Sequence, residues 1–134
     1  MDLIEPYKIT ILVAGLTGLL LLIQILIVDA VAIMKRHTPG YPVEIDHDSF
    51  LFRATRVHAN TNESVAAFVL FALFGIFSES NSYYLNIFSM VYFVGRVSHM
   101  IFYYYNAKVA RSISFALSII GLVGMFISGL MVWF

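Results

Sequence analysis

Phe52-Arg53-Ala54-Thr55-Arg56-Val57-His58-Ala59-Asn60-Thr61-Asn62-Glu63 runs directly into Ser64 to Ser78, a stretch of fifteen residues without a basic or acidic side chain. Whether the two stretches form one helix decides the fold. Fifteen apolar residues fall short of the roughly 18 that mark a membrane-spanning helix by themselves. Extended back to about Phe50, the segment is long enough, and it then carries Arg53, Arg56, Asn60 and Glu63 to membrane depth. Ser80 to Gly95, sixteen residues, has the same character and reaches spanning length by extending forward to about Tyr105 through Arg96 and His99.

The two outer segments span unaided. Ile9 to Val28 is twenty residues without a charge and Ser112 to Phe134 is twenty-three. The chain therefore reads as one all-α integral-membrane domain, residues 1–134, with helices expected at 8–34, 50–77, 82–105 and 109–134. Thr38-Pro39-Gly40-Tyr41-Pro42 breaks the chain after the first helix, and the acidic stretch Glu44, Asp46, Asp48 leads toward the second. Ser78 to Ser82 and Asn106 to Ala110 are short polar turns. Short turns make sequential helices antiparallel neighbours, which predicts an up-down-up-down bundle.

Composition agrees. Of 134 residues, 60% are hydrophobic and 12% charged, against about 25% charged in soluble domains. Eight basic and eight acidic residues cancel, so no overall field attracts nucleic acid. Cysteine is absent, which excludes disulfides and a protein thiol nucleophile; any sulfur chemistry must come from a ligand. Met1 to Pro6 carries Asp2 and Glu5 and lacks a basic start, so the first helix reads as retained, not as a cleaved signal peptide. Lys35, Arg36, Arg53, Arg56, Lys108 and Arg111 flank the first and third connections. The positive-inside rule places those connections in the cytoplasm and both termini outside, in a bacterial inner membrane or the endoplasmic reticulum.

The buried polar residues share a register. At about 100° per residue, Arg53, Arg56, Asn60 and Glu63 fall within an arc of roughly 80°. Arg96, His99, Tyr103 and Asn106 repeat the same spacing on the third helix. Arg111 opens the fourth helix, and Ser114 and Ser118 continue its side. An internal ion-pair network that only fixes helix register would use the same residue types. Ionisable groups at membrane depth are costly, however, and by default mark function. Four arginines against the single carboxylate of Glu63 make the site cationic, suited to carboxylates held bidentately, with Glu63 free to accept from an ammonium on the same ligand. His58 and His99 lack a second ligand at helical spacing, so no metal is expected. Gly121, Gly124 and Gly129 read as small residues for close helix packing, and the tyrosine clusters and Trp133 as interfacial belts.

The Arg-x-x-Arg-x-x-x-Asn-x-x-Glu pattern at Arg53, Arg56, Asn60 and Glu63 resembles the hallmark of the MAPEG family, the membrane-associated proteins in eicosanoid and glutathione metabolism. Gly95-Arg96-Val97-Ser98-His99 with Tyr103 is similar to that family's third-helix signature, and Arg111-Ser112 to the start of its fourth helix. The resemblance implies a homotrimer with glutathione bound between neighbouring subunits near the cytoplasmic side. It implies that Arg53, Arg56, Asn60 and Glu63 hold the tripeptide's charged ends, that Arg96, His99 and Tyr103 line the site, and that Arg111 stabilises the thiolate with Ser112 near the sulfur. Phe115 stands where several members carry tyrosine, leaving Arg111 as the main candidate for thiol activation. The expected activity is a glutathione transferase or peroxidase acting on lipophilic electrophiles from the bilayer. A non-enzymatic lipid-binding scaffold of the same fold and a small multidrug exporter are the rival readings.

Overall fold

The computed structural model describes residues 4–134. A short 3-10 turn, Glu5–Tyr7, leads into four helices: α1 (Lys8–Met34), α2 (Phe50–Phe77), α3 (Ser82–Tyr104) and α4 (Lys108–Leu130). Each is long and apolar enough to cross a membrane. Their bounds lie within a residue of those expected from the sequence, except that α4 ends at Leu130 and the chain closes in turns, with Trp133 Nε1 donating to Ser78 Oγ at 3.1 Å. That turn gives the indole N–H a partner on the neighbouring connection.

Three helices stop by one device. Arg36, Glu79 and Asn106 have φ of 53°, 52° and 56°, two residues past the ends of α1, α2 and α3. In each case the left-handed residue donates back to the second-last helical carbonyl, and the residue after it to the one before that: His37 N to Ala32 O, Ser80 N to Gly75 O, Ala107 N to Phe102 O. This is the Schellman arrangement, which satisfies carbonyls left over at a helix end. Asn106 tolerates the conformation best; Arg36 and Glu79 hold it at a cost of about 1–2 kcal/mol. The start of α3 is set by Asn81, whose Oδ1 accepts from Tyr83 N at 3.0 Å.

The helices are registered by pairs. Residue numbers rise along α4 as they fall along α3: a Cβ on Gly95 would meet Ser118 N at 2.6 Å, one on Gly121 would meet Tyr92 N at 2.5 Å, and one on Gly124 would meet the Phe88 ring. Backbone lies directly against backbone here, which only small residues permit. Asn60 with Arg96, Ser64 with Tyr92, and Phe68 stacked on Tyr92 at 4.6 Å register α2 on α3 in the same opposed sense. Thr10 of α1 donates both its N–H and hydroxyl to Asn86 Oδ1, and Tyr7 of the preceding 3-10 turn donates its hydroxyl to Ser80 O at 2.5 Å. The interior is apolar toward the chain ends, built on Val13, Phe68, Ala72, Leu85, Tyr92, Leu122 and Met125. It turns polar toward the other end, where Arg53, Arg96, His99 and Arg111 lie.

Candidate functional site

Arg96 is fully buried. Its Nη1 donates to Asn60 Oδ1 at 2.7 Å and its Nη2 to Ser118 Oγ at 2.7 Å, so one guanidinium joins the polar stripes of α2, α3 and α4. Its carbon also sits 5.8 Å from the Tyr92 ring and 5.3 Å from the Phe115 ring. Aromatic faces attract a cation where water cannot solvate it. Asn60 is thus not free to turn toward a ligand without releasing Arg96.

His99, 4% exposed, links this group to a second one. Its ring centre lies 6.2 Å from Phe115 and 5.3 Å from Tyr103. The Arg111 guanidinium carbon lies 4.4 Å from the centre of that same Tyr103 ring. Arg111 reaches it because it stands in the first turn of α4, just past the tight turn that follows α3. Arg96 Nε, His99 Nδ1, Arg111 Nη1 and Thr61 Oγ1 are buried without a hydrogen-bond partner. Buried polar atoms are nearly always satisfied, so the two unpartnered arginine nitrogens, which can only donate, make this region a candidate for holding acceptors.

Arg53 is used differently from what its stripe position suggests. Its Nη1 donates to His47 O at 2.6 Å and Asp48 O at 3.0 Å, and its Nε to Tyr104 O at 3.3 Å. The side chain clips the loop before α2 to the end of α3. Arg56 and Glu63 remain exposed on the outer surface of the bundle. The one ion pair among the described residues is Lys8 with Glu5, far from both. An internal Arg–Glu ion-pair network is therefore absent among the described residues. Ser112 is exposed, its hydroxyl donating to Lys108 O at 3.1 Å.

The structure thus draws Asn60, Arg96, His99, Tyr103 and Arg111 together, and leaves Arg56, Glu63 and Ser112 exposed. Two participants carried little signal in the sequence. Ser118 lay on a stripe but had no assigned partner; it receives Arg96. His47 stacks on Tyr103 with ring centres 6.2 Å apart and meets Phe52 edge-on at 5.0 Å. It sits in a loop, where helical periodicity says nothing about direction, so no spacing argument could find it.

Four helices long and apolar enough to span, with Arg96 buried among them, define a multi-pass integral membrane protein with a polar site at one end of its bundle. The chain belongs to the MAPEG family: the family's model matches residues 10–131, nearly the whole length. No curated protein sequence matches it.

Proposed function

We propose that the protein is a membrane-bound glutathione-dependent transferase, with peroxidase chemistry open to the same site, acting on apolar electrophiles that reach it through the bilayer. One observation carries the reading. Buried Arg96 and His99 and half-buried Arg111 each keep a side-chain nitrogen without a hydrogen-bond partner, the last two against the Tyr103 ring, while Arg56 and Glu63 of the adjoining stripe sit exposed on the subunit flank with no ion-pair partner among the described residues. Charges at membrane depth require a partner. A second subunit and a zwitterionic ligand with surplus carboxylate supply it together, and a homotrimer of up-down-up-down bundles with the site between neighbours follows.

The residues present suit glutathione. Arg56 and Arg96 would hold carboxylates, Glu63 the ammonium, with Asn60, His99 and Tyr103 lining the cleft and Arg53 holding its edge in shape. Arg111 would lower the thiol pKa from about 8.5 by placing a positive charge beside the sulfur. Ser112, about 100° round α4 from Arg111, is suited to a hydrogen bond from the subunit surface. The basic residues favour the cytoplasmic face for this end of the bundle.

An exporter of cations needs an uncompensated carboxylate, and Arg56 shares the face of Glu63, which disfavours that reading. A non-enzymatic scaffold has no need of unused arginine donors. Isothermal titration of the detergent-solubilised protein with glutathione tests the proposal: saturable binding with appearance of thiolate ultraviolet absorbance is expected, and absence of binding overturns it.

A further inference from the structure

We infer that His47 is the group that takes the thiol proton from the site to water. This rests on the glutathione reading above. His47 lies in the loop between α1 and α2, outside the spanning helices, and is half-buried. Its ring stacks on Tyr103, the same ring that carries the Arg111 guanidinium 4.4 Å from its centre. The imidazole and the thiolate-stabilising candidate therefore share one aromatic platform. Its Nδ1 is buried with no hydrogen-bond partner, although the residue as a whole reaches the loop surface.

The position of the ring is fixed from two sides. Phe52 meets it edge-on, and Arg53 donates to the carbonyls of His47 and Asp48 while also bonding Tyr104 O on α3. Arg53 is thereby a positioning residue for His47. A loop anchor needs an aromatic ring here but no ring nitrogen, and a phenylalanine would stack equally well on Tyr103.

Ionisation of a bound thiol breaks the S–H bond, leaves the electron pair on sulfur and requires an acceptor for the proton. Arg111 stabilises the anion but, being always protonated, cannot accept. Neutral imidazole can: Nδ1 takes the proton from the site side, and the imidazolium then gives one to water at the loop surface. Histidine is the side chain suited to this exchange near neutral pH. The charged and titratable groups around it are Asp46 and Asp48 of its own loop, Arg53 of α2, Tyr103 and Tyr104 of α3, and, through the Tyr103 ring, Arg111 and the second imidazole of His99.

Stopped-flow recording of thiolate absorbance after mixing the intact protein with glutathione tests this. His47→Phe is expected to bind glutathione within about twofold of wild type and to form thiolate at least about tenfold more slowly. Added imidazole should restore the rate of His47→Ala. An unaltered rate in His47→Phe, with wild type forming thiolate, overturns this role alone. A wild type that binds no glutathione overturns it together with the functional reading on which it rests.

Discussion

Arg96 Nη1 donates to Asn60 Oδ1 at 2.7 Å, and with Ser118 on its Nη2 this single side chain of α3 bonds both α2 and α4. The contact makes a buried charge into a structural joint as well as a site wall. Arg96→Leu removes both bonds and leaves Asn60 Oδ1 and Ser118 Oγ without their donor, each at about 1–3 kcal/mol. The unfolding temperature in mild detergent should fall clearly. Arg96→Lys, a point charge with no fork, should recover only part of it. Equal stability of wild type and the leucine variant would show that the joint contributes nothing.

The exposed pair on α2 leads to a different expectation. Glu63→Ala and Arg56→Ala should weaken glutathione binding by about 2–5 kcal/mol, the usual effect of leaving a buried charge partner unpaired. Stability of the isolated subunit should hardly change, because neither side chain bonds within it. Titration calorimetry on both variants decides: unchanged affinity in both removes them from the site.

The same exposure predicts assembly. Native mass measurement in mild detergent should give a trimer, and a monomer would remove the basis for a site shared between subunits.

Arg111→Ala separates binding from activation. Its guanidinium rests on Tyr103 with Nη1 unused, so its loss should raise the bound thiol's pKa toward the free value. Thiolate absorbance and turnover should be lost, while affinity changes by less than about tenfold, or 1.4 kcal/mol. A full thiolate signal in the variant would assign activation to Ser112 or Arg96.

Glycine substitutions test the packing. A Cβ on Gly121 would lie 2.5 Å from Tyr92 N and 2.8 Å from Phe88 O, both backbone atoms that cannot swing away. Gly121→Ala should therefore cost about 1–3 kcal/mol. A Cβ on Gly15 meets nothing within 4 Å, and Gly15→Ala should stabilise α1 by up to about 1 kcal/mol through helix propensity. Thermal unfolding of the two variants in one detergent would show opposite shifts; a Gly121→Ala protein as stable as wild type would refute the close contact.

How much was legible in the sequence follows from what each signal depends on. Helix number and bounds rest on hydropathy and turn residues, which are local, so α1, α2 and α3 fall within a residue of expectation. The end of α4 missed because hydropathy continues through Trp133 and Phe134 while the backbone turns to reach Ser78. Stripe residues were found because the helical repeat assigns them a common face, whatever that face touches.

The sequence by itself determined four membrane-spanning helices and two polar stripes of matching register, because periodicity and apolar length act along one helix. Only the tertiary structure decided which stripe residues meet. It spent Arg53 on loop carbonyls, gave Arg96 to Asn60 and Ser118, seated Arg111 on Tyr103 and brought His47 onto the same ring, while leaving Arg56 and Glu63 outside. Those choices depend on the rotation and close approach of separate helices and on the path of an irregular loop, and no repeat within a single segment encodes either.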